Sequence, residues 1–305
     1  MLLVGAGGFA GAHLRRAAAA TGLTVIAAGR EATGDAPACD LLDPAAVGAC
    51  VAALEPDLVV NAAGVASVAR SWERPEEAFA VNAVGVLNLL EAVARHAPAA
   101  HVLCISSAEV YGQTAGGEPP PAGAELRPVT PYGASKAAME IVCGQYARGR
   151  GLRIAVARAF NLVGPGQAAE FVASGLARRV AEAERAGDDE VELKLGNPAA
   201  ARDFTDVRDA ARSLLELSRR EQCGTYDLCS GRAVTIAELV EELAPATALS
   251  VGSRQEPGLE RPVDPAALVG DPSRLRAATG VAPTIPLSRS LADSLDWWRA
   301  ELARP

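Results

Sequence analysis

Short apolar runs alternate with longer alanine-rich segments through the first 160 residues, and this rhythm constrains the fold more than any other feature. The apolar runs, each without polar alternation, are residues 2–4, 24–27, 58–60, 102–105 and 154–157. The segments of helical composition between them are 9–21, 44–54, 76–96 and 131–148. Alternating strands and helices form right-handed crossovers, and strands apolar on both sides are typical of a sheet covered on both faces. The sequence therefore predicts an α/β fold with a parallel sheet and helices on both faces.

The rhythm changes after Phe160, where glycine and proline become frequent. Helical patterns continue in the three segments 171–186, 206–220 and 235–244. We expect residues 1–160 to form the larger domain, with 206–230 returning to it. The remaining segments, 161–205 and 231–305, are expected to form a smaller, discontinuous C-terminal lobe.

Charge and composition exclude several classes of protein. The chain has 29 basic and 37 acidic residues, a net charge of −8 and no basic stripe for nucleic acid. Its three histidines and six cysteines form no cluster with the spacing of metal ligands. No uncharged apolar stretch is long enough to span a membrane, and cysteines without a C-x-x-C pair are typical of reduced thiols. We therefore expect a cytoplasmic protein that binds no metal, no nucleic acid and no membrane.

A glycine-rich run at residues 5–11 follows the first predicted strand and opens the first predicted helix. Gly5, Gly8 and Gly11 permit a tight turn and let main-chain N–H groups approach a pyrophosphate at the helix N-terminus. Because the run lies between a strand and a helix, it predicts a dinucleotide site on a Rossmann-type sheet. We assign this binding to the domain 1–160.

The end of the second predicted strand indicates which dinucleotide is bound. A ribose hydroxyl usually meets an acidic side chain there, whereas a 2′-phosphate favours arginine. Arg30 lies at this point, so the sequence favours NADP(H), with NAD as the alternative. Asp40 and Leu41, after the next short segment, are predicted to line the adenine pocket.

A serine, a tyrosine and a lysine form the candidate catalytic group. Ser107 follows a strand predicted to be central, and Thr130 and Pro131 are predicted to begin a helix. That helix places Tyr132 and Lys136 on one face, one turn apart. A phenol titrates near pH 10 in water, so we expect the Lys136 ammonium to favour the phenolate. Without a metal or a catalytic histidine, such a trio suits reversible hydride transfer at a carbinol or ketone.

The scarcity of lysine adds weight to this group. The chain has only two lysines, Lys136 and Lys194, among its 29 basic residues. Arginine cannot give up its proton and spreads its charge over a planar fork, whereas lysine is a compact ammonium on a flexible stem. A lysine four residues after a tyrosine, in a chain that otherwise uses arginine, indicates a site that requires an ammonium.

With these motifs the chain resembles the extended short-chain dehydrogenase/reductase family, the epimerases, dehydratases and reductases of nucleotide sugars. Within it, the chain is most similar to the branch of GDP-mannose 4,6-dehydratases and GDP-4-keto-6-deoxymannose reductases. The stretches that support this branch are 67–73, 160–167, 202–209 and 268–275, and the last is closest to the reductases.

The resemblance implies roles for individual residues. Tyr132 would be the acid/base, Lys136 would also bind the nicotinamide ribose, and Ser107 would contact the sugar oxygen. The further cofactor-binding positions that it implies are Phe9, Ala62, Ala63, Gly64 and Phe160. The substrate-binding positions would be Ser67, Arg70, Asn161, Arg202 and Arg261, with Asn161 and the last two near the nucleotide diphosphate. Arginine forks match phosphate geometry.

Departures from the family pattern bear on the reaction. Dehydratases have a threonine and a middle residue, often aspartate, before the glutamate of the 107–109 slot, and this chain has Ser107, Ala108 and Glu109. Glu109 could still remove a C5 proton, so a 4,6-dehydratase and a 4-epimerase stay open. A catalytically silent dinucleotide-binding regulator would be expected to lack Tyr132 or Lys136. Both residues are present, so the sequence does not favour this alternative.

We therefore predict an NADPH-dependent reductase of a nucleotide-linked 4-keto-6-deoxyhexose. Its partner would be a nucleotide-diphosphate sugar. Many relatives pair the helices near 76–96 and 131–148 in a four-helix bundle, so the resemblance also implies a homodimer.

Overall fold

The structure is a computed structural model that describes residues 1–31, 38–113, 118–121, 123–259 and 265–304. Within these residues the strands are β1 Leu2–Val4, β2 Ile26–Ala28, β3 Leu58–Asn61, β4 His101–Ser107, β5 Arg153–Ala159, β6 Asn161–Val163, β7 Glu190–Leu195, β8 Ala201–Asp206, β9 Gly224–Leu228, β10 Ala233–Thr235, β11 Ser250–Gln255 and β12 Ala267–Leu268.

The α-helices are α1 Phe9–Ala20, α2 Pro44–Leu54, α3 Val68–Glu73, α4 Pro75–Phe79, α5 Gly85–His96, α6 Pro131–Arg150, α7 Val172–Ala186, α8 Val207–Arg219, α9 Ile236–Leu243, α10 Ser273–Thr279 and α11 Leu287–Leu302. A π-helical segment, Ala80–Val84, joins α4 to α5, and 3-10 turns lie at Ala108–Tyr111 and Ala244–Ala246.

Six parallel strands form the main sheet in the order β2-β1-β3-β4-β5-β9. The strand order reverses direction beside β1, and open α/β sheets bind ligands at such a switch point, outside the carboxyl ends of the strands. The α/β fold predicted from the alternating pattern is confirmed. Strand β2 lies slightly later than the predicted 24–27 run, and β9 adds residues 224–228 to the edge.

Both faces of the main sheet are covered. Helices α2, α5 and α6 supply one core, which includes the fully buried Val47, Leu89 and Met139. Helices α1 and α8 supply the other, with Leu14 and Leu214. Burying one such side chain contributes about 1.5–3 kcal/mol, and this two-sided burial explains why the strands lack polar alternation.

The C-terminal lobe is built around β8. This strand lies between β10 and β12, and its last three residues pair with β6. A separate parallel pair, β7 and β11, lies beside it. Its core is formed mainly by α7, α9 and α11, with Leu176, Leu239 and Leu291 among the buried side chains. Helix α11 has no counterpart among the predicted helices.

The stretch from Pro75 to His96 is long and apolar enough, by length and composition alone, to cross a membrane. It contains charged residues, so it is not one of the uncharged runs considered above. Half of its most apolar window is buried inside the molecule, where α5 packs against α2 and α6. Because a core helix of a globular protein has the same composition, the stretch is only weak support for a membrane span.

Candidate active site

The turn between β1 and α1 is shaped by glycines at close main-chain contacts. Gly5 has a φ of +81°, and a Cβ there would lie 2.5 Å from the Ala63 nitrogen. A Cβ at Gly11 would overlap the carbonyl oxygen of Gly5. Only glycine fits both positions without movement of the backbone. The turn therefore brings the start of α1 against the loop that follows β3.

The N-terminus of α1 has the features of an anion site. Gly8 is the N-cap residue, and no side chain of a described residue caps the helix there. The first N–H groups of a helix lack partners within the helix and favour negative charge. With Phe9 as its first residue, α1 thus presents main-chain donors where the sequence predicted a pyrophosphate.

The predicted adenine end lies beside β2. Arg30 is exposed immediately after this strand. The Asp40 carboxylate accepts a hydrogen bond from the Leu42 main-chain N–H at 3.0 Å. Leu41 is 5% exposed and belongs to the core between the sheet and α5, so its side chain is used for packing. Its carbonyl oxygen accepts a hydrogen bond from Asn88 at 2.8 Å.

The loop after β3 connects the glycine turn to the catalytic group. The Asn61 side chain accepts a hydrogen bond from the Ala63 N–H at 3.1 Å, which bends the chain at Ala62. A Cβ at Gly64 would lie 3.2 Å from the Lys136 Nζ. This loop thus lies between α1 and the lysine, where a bound dinucleotide would join the two.

The predicted trio is brought together at the carboxyl end of β4. The Thr130 side chain caps α6 by accepting from the Gly133 N–H at 2.9 Å, as the sequence indicated. Tyr132 and Lys136 follow in the first turns, 8% and 5% exposed, and Ser107 is 6% exposed at the end of β4. The Lys136 Nζ donates to the carbonyl oxygen of Ile105 at 2.8 Å.

Burial has the largest effect on the pKa of the Tyr132 phenol. It raises the pKa of Tyr132 to about 12, a hydrogen bond with the Ser107 side chain opposes the rise, and the negative charge of Glu109 adds to it. The sequence predicted that Lys136 would favour the phenolate. In the structure burial outweighs any such effect, because the phenol lies in a medium that disfavours its charged form. At neutral pH Tyr132 is therefore a proton donor.

The pKa of Lys136 is shifted in the opposite direction. Burial lowers the pKa of Lys136 to about 8, and neighbouring Cys104, Cys143 and Glu140 act against that decrease. A buried ammonium loses hydration that a single carbonyl contact replaces only in part. Near pH 7 the group is still cationic, so the site combines a neutral phenol with a positive charge one helical turn away.

Asn82 is a site residue that the sequence analysis missed. It is 1% exposed in the π-helical segment. Its side chain exchanges hydrogen bonds with the main chain of Val65 at 2.9 and 3.0 Å and donates to the Ser135 hydroxyl at 2.9 Å. It thus links the loop after β3 to α6 beside Lys136. An asparagine within an apolar helical run was the available signal, because a buried amide requires partners.

Two other predicted positions frame the trio. Glu109 is half-buried on the 3-10 turn after β4, and its N–H donates to the Ser107 hydroxyl at 3.2 Å. Phe160 is 5% exposed, and a Cβ at Gly270 would lie 2.6 Å from its ring. The carboxyl end of β5 is therefore packed closely against the C-terminal lobe.

The predicted substrate residues on α3 are engaged within the chain. The Ser67 side chain caps α3 by accepting from the Arg70 N–H at 3.3 Å. The Arg70 guanidinium forms an ion pair with Glu77, with Nη2 2.7 Å from Oε1. Arg70 is therefore not directed at the trio in this conformation. Ser71 accepts from the Tyr132 N–H at 3.1 Å, which fixes α3 against the start of α6.

The predicted diphosphate residues lie along β6 and β8. The Asn161 side chain donates to the Asp203 carbonyl oxygen at 3.3 Å. Arg202 is 6% exposed and donates from Nη1 to the carbonyl oxygens of Ala201 and Pro265, at 2.7 and 2.8 Å. Arg261 falls outside the described residues. Arg202 thus has a structural task, since it holds the chain at Pro265.

The geometry suits acid/base chemistry at one oxygen. A buried proton donor contacts a hydroxyl at the carboxyl edge of the sheet, with a cation one helical turn away and a glycine turn that fits a pyrophosphate nearby. Within the described part of the chain, no group of three His, Cys, Asp or Glu side chains could hold a metal ion. All six cysteines are free, and five are buried.

Comparison with known proteins shows the family of the chain. The sequence model of the NAD-dependent epimerase/dehydratase family matches residues 1–229. A GDP-6-deoxy-D-mannose reductase from Pseudomonas aeruginosa is 34% identical over 307 residues, covering 99% of this chain and 98% of that protein. The chain belongs to the NAD-dependent epimerase/dehydratase family. The family resemblance inferred from the motifs is thereby confirmed.

Solved structures of family members extend the comparison. RMD from Pseudomonas aeruginosa, complexed with NADPH, superposes with a TM-score of 0.87 at 33% identity, covering 98% of this chain and 99% of that chain. UDP-glucose 4-epimerase from Thermus thermophilus, complexed with NAD, superposes with a TM-score of 0.85 at 29% identity, covering 98% of each chain. The prediction of NADP(H), with NAD as the alternative, fits these two family members.

Proposed function

We propose that this chain reduces the C4 ketone of a nucleotide-linked 4-keto-6-deoxyhexose, of the GDP-4-keto-6-deoxymannose type, with NADPH. The observation that supports it most is the buried group of Ser107, Tyr132 and Lys136. This group lies in a chain 34% identical over its length to a GDP-6-deoxy-D-mannose reductase.

The residues of the chain divide the chemistry between them. NADPH, when bound, supplies the hydride. Tyr132 keeps its proton at neutral pH and donates it to the C4 oxygen, while the Ser107 hydroxyl holds that oxygen in place. Lys136 supplies positive charge that stabilises the phenolate left on Tyr132. A neutral, buried phenol is the starting state that ketone reduction requires, whereas oxidation would begin from the phenolate.

The cofactor-binding residues follow from the site. We assign the pyrophosphate to the N–H groups at Gly8 and Phe9 and to the turn that Gly5 and Gly11 permit. We assign the 2′-phosphate to Arg30, which is exposed beside the predicted adenine end. Asp40, the Leu41 main chain, Ala62–Gly64 and Phe160 complete the proposed lining.

The substrate-binding residues are assigned to the opposite side of the trio. We propose that Ser67, Arg70, Asn161, Arg202 and Arg261 bind the nucleotide-diphosphate sugar. Arg70 would exchange its ion pair with Glu77, which is partly exposed, for a substrate group. Binding energy from the diphosphate end would then align the ketone with Tyr132.

A second function, nucleotide-sugar 4,6-dehydration, is favoured by one observation. Glu109 lies close enough to Tyr132 for its charge to affect the pKa of that phenol, and a carboxylate there could remove the C5 proton. The test is to supply a parent GDP-hexose without NADPH and to follow loss of water by mass spectrometry. The reductase predicts no product. A dehydrated product that Glu109→Gln abolishes would replace the proposed function.

We also propose that the chain works in the cytoplasm as a homodimer. The surface formed by the π-helical segment, α5 and α6 exposes three apolar side chains, Val84, Leu87 and Ile141, which are 51%, 39% and 66% exposed. Exposed apolar side chains on two adjacent helices suit a two-fold interface. The free, mostly buried cysteines fit a reducing compartment.

A further inference from the structure

A row of polar side chains crosses three neighbouring strands of the main sheet, one residue before Ser107 along β4. In the parallel register Ser106 of β4 lies beside Arg158 of β5, and Arg158 lies beside Asp227 of β9. Residues in register point to the same face of a sheet, and here that face is covered by α6. Ser107 begins the next row toward the strand ends. We call Ser106, Arg158 and Asp227 the polar row.

Glu140 joins the polar row to α6. Its carboxylate accepts a hydrogen bond from Ser106 at 2.6 Å and a forked contact from Arg158, with Nε 3.0 Å from Oε1 and Nη2 2.6 Å from Oε2. The Arg158 and Glu140 side chains are 10% and 6% exposed. A buried, bidentate pair has one well-defined geometry, and loss of either partner leaves an uncompensated charge.

The other end of the polar row holds the turn that follows Ser107. The Arg158 guanidinium lies 4.6 Å from the centre of the Tyr111 ring. The Tyr111 hydroxyl donates to the Asp227 carboxylate at 2.7 Å. Tyr111 ends the 3-10 turn that begins one residue after Ser107. The contacts therefore fix Ser107 from the strand before it and from the turn after it.

Glu140 also lies one helical turn from Lys136 on α6. Cys104 of β4 and, from α6, Cys143 and Glu140 raise the pKa of Lys136 against the effect of burial, and Tyr132 lies one helical turn before it on α6. A hydrogen bond with Cys104, together with burial, raises the pKa of Cys143 well above its usual value. Thiols are mostly uncharged at pH 7, so Glu140 supplies the negative charge among these neighbours.

We propose that Glu140 and Arg158 are positioning residues, whose buried pair with Ser106 fixes Ser107 against Tyr132 and places a compensating charge beside Lys136. The kinetic consequence rests on the proposed reductase function. The effect on the Lys136 charge does not rest on that function, because the titration of Lys136 can be measured without substrate.

The chain is suited to a direct measurement, since it has only two lysines. We would label lysine with ¹³C at Cε and follow its two NMR signals from pH 6 to 11. Lys194 has a side chain 52% exposed and serves as the internal reference. Glu140→Gln keeps the shape of the side chain, removes its charge and leaves the Arg158 cation unpaired, so the Lys136 midpoint should fall by about one pH unit relative to that reference. An unmoved Lys136 midpoint in the folded variant would overturn the role of the charge.

Ser106→Ala tests the geometric part and retains the ion pair, so it also serves if Glu140→Gln does not fold. We expect kcat to fall about tenfold, as for loss of one hydrogen bond to a charged group. The KM for NADPH should stay within about twofold of the wild type, because the glycine turn is untouched. Wild-type kcat in a folded Ser106→Ala variant would overturn the positioning role.

Glu91→Gln is the matched control. Glu91 also accepts a hydrogen bond from α6, from the Tyr146 hydroxyl at 2.7 Å, but near the end of the helix remote from the site. Glu91→Gln should change neither kcat nor the Lys136 midpoint. If it changed them as much as the Glu140 and Ser106 variants do, any loosening of α6 would explain the effect, and the proposed positioning role would be contradicted. Absence of NADPH oxidation by the wild type would contradict the proposed function instead and leave the NMR result standing.

Discussion

Lys136 is a cation in a setting that opposes its charge. Its side chain is buried, and its ammonium donates to a main-chain carbonyl oxygen. Burial lowers the pKa of Lys136 to about 8, so below that pH the folded state holds a proton at a cost that the unfolded chain does not have. A lysine at this position therefore serves the proposed reaction and lowers the stability of the folded state at neutral pH.

Replacing Lys136 should therefore separate stability from activity. At pH 7 we expect Lys136→Met to raise the free energy of unfolding by roughly 1–3 kcal/mol and to abolish turnover. The Lys136 contribution to wild-type stability becomes more favourable between about pH 8 and 10.5, where the unfolded lysine still holds its proton, so the gain in the variant should disappear over that range. Denaturant unfolding at several pH values measures it, with Lys194→Met as the exposed control. A loss of stability at pH 7 would contradict the buried-charge interpretation.

The two shifted groups also predict the pH dependence of reduction. Tyr132, with a pKa of about 12 that is raised mainly by burial, should stay protonated throughout the working range. Lys136 should lose its charge as pH rises through about 8. We expect kcat to be highest below pH 8 and to fall above it. A profile of kcat that stays flat to pH 10 would show that the lysine charge has no part in the reaction.

The site shows which residue positions a sequence can predict. Tyr132 and Lys136 could be found because one helix sets their spacing and lysine is otherwise rare. The diphosphate-binding role of Arg202 was predicted from its motif and stays a proposal, but its hydrogen bond to the carbonyl oxygen of Pro265, 63 residues away, was not predicted. Contacts over such distances depend on how the lobes pack, and no local pattern records them.

The elements around the glycine turn show close packing between main chains. We expect Gly11→Ala to weaken NADPH binding at least tenfold, because its methyl group would overlap the Gly5 carbonyl oxygen and displace the start of α1. Gly48→Ala in α2 is the control, since a Cβ there meets nothing within 4 Å. It should bind NADPH normally and gain about 0.5–1 kcal/mol of stability. Titration of NADPH fluorescence compares them, and equal affinity in the two variants would contradict the proposed cofactor site.

The elements of the first half could be predicted because the strands and the helices differ in length and composition. Strands such as β3 and β4 are buried on both sides, and their helical partners are long and alanine-rich. The π-helical segment around Asn82 could not be predicted, since it keeps the apolar composition of a continuous helix. Strands β6, β10 and β12 have two or three residues each, and their pairing with β8 is set by tertiary contacts rather than by propensity.

Partly buried hydrogen bonds join the cofactor side of the molecule to the substrate side. His13 of α1 donates from Nε2 to the Pro165 carbonyl oxygen at 2.9 Å. Asp203 of β8 accepts hydrogen bonds from the main chain of Ser230 and Gly231, both at 2.8 Å, after the last strand of the main sheet. Residues on both sides of the trio are therefore held in one arrangement, which a reaction between two bound molecules requires.

The proposed homodimer can be tested at its interface. Ile141 is the most exposed of the three apolar residues on the surface formed by the π-helical segment, α5 and α6. Ile141→Glu places a charge there and should convert a dimer to a monomer. Light scattering after size exclusion measures the mass. Leu259→Glu is the control, because Leu259 is 50% exposed elsewhere on the chain and its replacement should leave the dimer intact. A wild-type monomer would contradict the proposed interface.

In the proposed reaction Tyr132 donates the proton to a ketone that NADPH reduces. The most direct measurement follows NADPH absorbance at 340 nm after the enzyme meets GDP-4-keto-6-deoxymannose, with Tyr132→Phe alongside. We predict oxidation of one NADPH per sugar by the wild type, and a loss of at least about a thousandfold in kcat for Tyr132→Phe with NADPH affinity retained. Near-normal turnover in Tyr132→Phe, or no NADPH oxidation by the wild type, would contradict the account.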